Sequence, residues 1–174
     1  MGRKLLRMDV LETVRAQDRG FLHDNLPDVF YDGEPMRTFF KAADTLKEYL
    51  TENGDWMEYF ALAEQVLRTA GYKAYLHAHL RTAYQAQDLE ELRKILDEIL
   101  PLCRESYQRM YRLFWQQWHR EYKAFGWEVH CQRVGFQIAR IDYAAELLDQ
   151  YLKKEISCIE ELDVKQLYQN IYLG

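Results

Sequence analysis

The chain has 174 residues, enough for one domain that buries its own hydrophobic core. Hydrophobic residues make up 48% of it and charged residues 29%, a composition typical of a soluble globular protein. The net charge of -5, without any cluster of Lys and Arg, argues against a nucleic-acid partner, because the phosphate backbone would repel such a protein.

The termini and the cysteines predict a cytoplasmic protein without a membrane segment. The basic start is not followed by an apolar stretch, and no uncharged apolar run reaches the about 18 residues that a membrane span needs. The three cysteines are odd in number and widely spaced, which favours reduced thiols over a disulfide framework. They are Cys103, Cys131 and Cys158.

The first 34 residues are expected to connect the chain to a preceding domain. Residues 4–15 could form a short helix, but 18–33 are rich in turn-forming residues. A first main helix is predicted from Pro35 to about Thr51, ended by Asn53 and Gly54. Its apolar side comprises Met36, Phe39, Phe40, Ala43, Leu46 and Leu50.

Two capping signals predict the next two helices. Asp55 with Glu58 starts the second, which continues to about Gln87 and tolerates Gly71 in its interior. Asp88 with Glu91 starts the third in the same way. Pro101 lies inside that helix and removes one backbone hydrogen bond, so a kink is expected near residues 97–100.

The third and fourth helices are predicted to form an antiparallel hairpin around which the rest of the chain is organised. The turn at Phe125, Gly126 and Trp127 joins them, the fourth spans about His130 to Lys154, and a short last helix covers 159–162. Apolar residues at steps of three and four place one stripe on each helix. These residues are Leu92, Leu96, Ile99, Cys103, Tyr107, Met110, Phe114 and Trp118, then Val134, Ile138, Ile141, Ala145, Leu148 and Leu152.

The expected fold class is therefore all-α, an antiparallel bundle of about four main helices with short terminal helices. The whole chain, 1–174, is taken as one helical domain, with 1–34 as its connector and 35–174 as the bundle. Such a bundle is held together by the helix faces that bury one another.

No group of residues predicts catalysis, a cofactor or a metal site. His77 and His79 lie about 200° apart on a helix, so they cannot both face one ion. Glu128, His130 and Cys131 lack a fourth ligand at a recognisable spacing, and an ordinary turn explains them better. Acidic pairs occur on the outer faces of helices, where solvent is their expected neighbour.

Aromatic residues are concentrated at the tip of the predicted hairpin. One helix face cannot bury all of them, so some must lie on a second surface. That surface is either more core, packed against the helix from Asp55, or an interface, and both interpretations stay open. The cluster comprises Tyr111, Phe114, Trp115, Trp118, Tyr122, Phe125 and Trp127.

The same tip resembles the C-terminal helical domain of a bacterial branch of glycoside hydrolase family 20, the β-N-acetylhexosaminidases. The tail after Lys154 and the opening residues 3–14 resemble the same family, but Tyr122 and Phe136 depart from its usual pattern. The motif residues that carry the resemblance are Trp118, Lys123, Phe125, Gly126, Glu128, Arg133, Gly135 and Arg140, and in the tail Glu155, Ile156, Ile159, Glu161 and Leu162.

The resemblance implies an accessory domain that packs behind a catalytic barrel and helps the enzyme to form a homodimer. The catalytic Asp-Glu pair of those enzymes lies in a Gly-rich barrel motif, whereas the Asp97-Glu98 doublet here lies on a helix, so no catalysis is expected from this chain. The alternative is a stand-alone helical protein-interaction module. Candidate residues for the interface or for docking to the barrel are Trp115, Tyr122, Lys123, Trp127, Glu128, Arg133 and Arg140.

Overall fold

The computed structural model describes residues 34–50 and 54–163, and it is all-α over those ranges. The helices are α1 (Glu34–Tyr49), α2 (Met57–Ala86), α3, α4 (Trp127–Leu152) and the short α5 (Glu160–Asp163). Helix α3 consists of three consecutive segments, Leu89–Lys94, Ile95–Ile99 and Leu100–Glu121. The predicted fold class is confirmed. None of the helices in the described ranges is both long and apolar enough to cross a membrane.

Helix α1 packs along α2 at a point where α2 has a glycine. The Phe40 ring lies so close to Gly71 that a Cβ on this glycine would be 2.7 Å from Phe40 Cε1. Asp44 of α1 also accepts a 2.9 Å hydrogen bond from Arg68 of α2. The helix begins at Glu34, one residue before the predicted start. The expected connector at 1–34, apart from its last residue, and the predicted stop at Asn53 lie outside the described residues.

Helix α2 is enclosed on most of its circumference, so it is as central to the fold as the α3–α4 hairpin. It packs on α1 and on α3, and its last turns also contact α4 and α5. Its α-helical part begins at Met57, after a 3-10 turn at Gly54–Trp56. Glu58 does not reach back to cap the helix: its carboxylate contacts Arg120 of α3. The side chain of Asp55 lies outside the described part of the structure.

A buried polar network joins α2 to α3. Gln65 donates through Nε2 to Ser106 Oγ over 2.6 Å, and the Thr69 and Ser106 hydroxyls are 2.8 Å apart. All three side chains are at most 5% exposed. Because α2 is shielded on nearly every side, these polar residues must satisfy one another rather than bind solvent.

Helix α3 begins at the predicted capping residue, and its backbone hydrogen bonding is disturbed close to the predicted position. The Asp88 carboxylate caps it by accepting a 3.1 Å hydrogen bond from the Glu91 backbone N–H. The expected disturbance before Pro101 takes the form of a π-helical turn at Ile95–Ile99, where the Leu100 N–H bonds to the Ile95 carbonyl. A proline has no N–H to donate, so the backbone hydrogen bonds of the helix change from α-helical to π-helical register at this point.

Helix α4 packs antiparallel on α3 and begins three residues before the predicted start at His130. Gly126 has φ of +93°, and its N–H is satisfied by Glu128 Oε2 at 3.0 Å, so Trp127 already belongs to the first turn. Every residue of the two predicted stripes is buried or half-buried. At the far end, Tyr84 Oη accepts a 3.0 Å hydrogen bond from the Ile159 N–H just before α5.

Candidate interface at the α3–α4 turn

The turn between α3 and α4 is tied to the end of α3 by backbone groups. Tyr122 is extended, and its N–H donates to the Trp118 carbonyl over 2.8 Å. The indole Nε1 of Trp118 donates to the Lys123 carbonyl over 3.0 Å. Gly126 supplies the positive φ, which side-chain-bearing residues rarely adopt. The turn therefore has a defined conformation that can present a fixed surface.

Trp127 is held at the centre of an aromatic cluster rather than projecting from the turn. Its ring lies 5.3 Å from Tyr111, 5.4 Å from Phe114, 6.1 Å from Trp118 and 5.6 Å from His119. The indole is half-buried, so it supports the turn and only its outer part is available to a partner. The His130 ring completes the cluster, 4.7 Å from Trp118.

Other aromatic residues of the turn face solvent. Phe125 is 88% exposed, Tyr122 60% and Trp115 46%. The ring centroids of Tyr122 and Trp118 are 4.8 Å apart, and those of Trp115 and His119 are 4.7 Å apart. The Tyr122 and Trp115 rings are therefore each held by contact with a neighbouring ring. Exposed, oriented aromatic rings are the side chains that most often dominate binding at protein interfaces.

The charged candidates occupy different positions. Lys123, Glu128 and Arg133 are exposed, whereas Arg140 is half-buried two turns further along α4. Its guanidinium lies over the Phe136 ring at 5.2 Å from the centroid. The seven candidate residues thus divide between the turn itself and the outer side of α4.

One apolar stripe on α4 was not among the sequence-based candidates. Val129, Phe136 and Tyr143 are 41%, 54% and 54% exposed, and they recur every seven residues. Positions seven apart lie within about 20° on a helix, so the three form one outward face. The seven-residue spacing was visible in the sequence, but the inner stripe of α4 offered the stronger pattern, and Phe136 appeared only as a departure from the family motif.

Three polar side chains at the turn make contacts within the fold. Cys131 Sγ accepts a 3.3 Å hydrogen bond from the Tyr111 hydroxyl, and this contact raises the pKa of the phenol. The Glu128 carboxylate accepts a hydrogen bond from the Gly126 N–H. Among residues 34–50 and 54–163, no three His, Cys, Asp or Glu side chains come close enough to hold a metal ion. The arrangement can bind an apolar partner surface and surround it with charges.

Comparison with known proteins identifies the chain. The family model described as the Glycoside Hydrolase 20C C-terminal domain matches residues 24–172, which is most of the chain and includes the turn and all of α1 to α5. A search of curated proteins finds no match. The family match confirms the resemblance carried by the motif between Trp118 and Arg140. The chain therefore belongs to the Glycoside Hydrolase 20C C-terminal domain family.

Proposed function

We propose that this chain is a non-catalytic accessory domain that docks on the catalytic barrel of its enzyme and helps the enzyme to dimerise. The enzyme class is that of the β-N-acetylhexosaminidases, which release terminal N-acetylhexosamine residues. The barrel and a second copy are its partners in this proposal.

The observation that carries the proposal is the exposed aromatic surface at the α3–α4 turn. Phe125 and Tyr122 face solvent on a turn that backbone hydrogen bonds hold in one conformation, and Trp115 faces solvent from the last two turns of α3. A preorganised apolar surface loses little conformational entropy on binding, which favours a docking role. Lys123 and Arg133 next to it add charge that can orient a partner.

Docking is tested by adding the purified chain to the catalytic barrel of a glycoside hydrolase 20C enzyme, expressed separately, and measuring binding by calorimetry. The double variant Tyr122→Ala, Phe125→Ala should weaken binding by at least about tenfold, as expected for exposed aromatic anchors. Tyr49→Ala on α1 is the matched control, because Tyr49 is 48% exposed and far from the turn in sequence. Absence of binding by the wild-type chain would refute docking.

Two further measurements separate this proposal from its alternatives. Light scattering over a concentration series tests dimerisation, for which a mass near twice 21.0 kDa is expected. Turnover of a chromogenic N-acetylglucosaminide by the chain alone would overturn the non-catalytic assignment. Tight binding of an unrelated protein together with no affinity for the barrel would favour the stand-alone interaction module instead.

A further inference from the structure

We propose that two copies of the chain associate through the outer face of α4, side by side and in parallel about a two-fold axis. The surface is the stripe formed by Val129, Phe136 and Tyr143. The inference rests on the dimerisation proposed above and adds the face and the pairing to it.

The stripe is apolar, and each of its members is about half exposed. From Val129 to Tyr143 it extends over about 21 Å, since an α-helix rises about 1.5 Å per residue. The buried residues of α4, including Gln137, Ile141 and Ala144, lie about 80–140° around the helix from Phe136. Residues at seven-residue spacing occupy equivalent positions along one line of a helix, as one of the two seam positions of a paired helix does.

Charges of opposite sign flank the stripe. One rim has Arg133 and Arg140, each four residues after a member of the stripe. The other rim has Glu128 and Asp142, each one residue before a member, and Asp142 also accepts a 2.6 Å hydrogen bond from Arg104 of α3. Residues five apart point about 140° away from each other, so Glu128 and Arg133 lie on opposite rims and cannot neutralise each other within one chain.

This asymmetry decides between the two ways in which identical helices can pair about a two-fold axis. An antiparallel pair places each rim against the same rim of the second copy, so Arg would face Arg and acid would face acid. A parallel pair places each rim against the opposite rim, with partners five residues apart as in parallel coiled coils. Glu128 then lies against Arg133 of the second copy, and this contact occurs twice in the dimer.

In the parallel pair, Gly135 of one copy would lie against Arg140 of the second copy. A Cβ on Gly135 would meet no atom of the chain within 4 Å, so no contact inside the described bundle accounts for a glycine in the middle of this helix. A glycine in a helix interior costs stability relative to alanine. In the parallel pair it leaves room for the long arginine side chain, which already covers Phe136 from its own copy.

The test uses charge reversal in the full 174-residue chain, with the dimer dissociation constant measured by sedimentation equilibrium. Glu128→Arg and Arg133→Glu should each weaken the dimer by about tenfold or more, since two attractive pairs become repulsive. When the two variants are mixed, every pair is again complementary, so a heterodimer should form with nearly wild-type affinity. In an antiparallel pair each single reversal would instead relieve a like-charge contact, so weakening by each reversal followed by this rescue requires the parallel pairing.

Two controls test whether a weaker dimer is caused by unfolding of the chain. Glu128 also accepts a hydrogen bond from the Gly126 N–H, so circular dichroism must show that helix content is unchanged. Arg133 makes no such bond to the described residues, so Arg133→Glu removes none. Phe136→Ser removes the central apolar side chain and should also weaken the dimer without unfolding it, because Phe136 is half exposed.

Each outcome has one meaning. Weakening by both reversals with rescue in the mixture supports the α4 pairing. A dimer that resists the α4 substitutions, or that the mixture does not restore, overturns the pairing while the proposed dimerisation stands. A wild-type chain that stays monomeric at every concentration refutes this pairing and the dimerisation by this domain, but leaves docking on the barrel to its own test.

Discussion

At the contact between α1 and α2, one neighbouring ring decides whether replacing a glycine by alanine raises or lowers the stability of the fold. In most helices Gly→Ala stabilises the fold by about 1 kcal/mol through helix propensity. At Gly71 the new Cβ would lie 2.7 Å from Cε1 and 2.9 Å from Cδ1 of Phe40, closer than carbon atoms can approach. Phe40 is half-buried and also packs edge-on against Tyr72 at 5.1 Å, so the ring has little freedom to move aside.

The two effects can be weighed. Overpacking in a core costs typically about 1–3 kcal/mol, which exceeds the gain in propensity. We therefore expect Gly71→Ala to lower the free energy of unfolding by about 1 kcal/mol. In a Phe40→Ala background the ring is gone, and the same substitution should raise the free energy of unfolding by up to about 1 kcal/mol. The predicted coupling between the two sites is about 2 kcal/mol.

Urea unfolding of the four proteins of this double-mutant cycle, followed by circular dichroism, measures the coupling. Gly135→Ala provides the matched control, because that glycine is also helical but its Cβ would meet no atom within 4 Å. It should stabilise the chain by about 1 kcal/mol when the protein is dilute enough to be monomeric. The reasoning is refuted if Gly71→Ala stabilises the wild-type chain as much as it stabilises the Phe40→Ala chain.

Three further predictions concern α3. Asp88→Ala should lower the free energy of unfolding by about 1 kcal/mol in urea titrations, because the capping bond to Glu91 is lost, whereas Asp88→Asn should be nearly neutral. Ser106→Ala should cost about 1–3 kcal/mol by the same assay, since Gln65 Nε2 loses its 2.6 Å acceptor in the core; an unchanged midpoint would contradict the network. Burial raises the pKa of the Cys103 thiol to about 12, so only the unfolded chain loses this proton just above pH 9, and stability should fall as the pH rises from 9 toward 12. Cys103→Ala should remove that part of the pH dependence, and an identical slope in both proteins would contradict it.

Local signals in the sequence were sufficient for the start of α3 and for its distortion. Asp88 caps a helix with a bond to a residue three positions away, and Pro101 cannot donate a hydrogen bond in any fold. Both effects act within one turn of helix, so no distant contact was needed to predict them. The same holds for the inner stripes of α3 and α4, whose spacing alone indicated the buried faces.

Other features depended on residues far apart in the chain. Gly71 was expected to be a tolerated weak point, but Phe40 packs against it from another helix. Glu58 was expected to cap α2, but it contacts Arg120 across the bundle instead. In each case a long-range neighbour outweighs the local preference, and the sequence does not say which neighbour that is.

The aromatic surface shows most clearly which features the sequence determined and which the tertiary structure decided. The sequence by itself determined that the chain is helical, that its aromatic residues concentrate at the α3–α4 turn, and, through the motif from Trp118 to Arg140, to which family it is similar. Only the tertiary structure decided which rings are available: Trp127 is packed among five other rings, while Phe125 is 88% exposed. Helical periodicity predicts on which face of its own helix a side chain lies. Whether that face is exposed depends on which other helices pack against it, and this is decided by the tertiary structure.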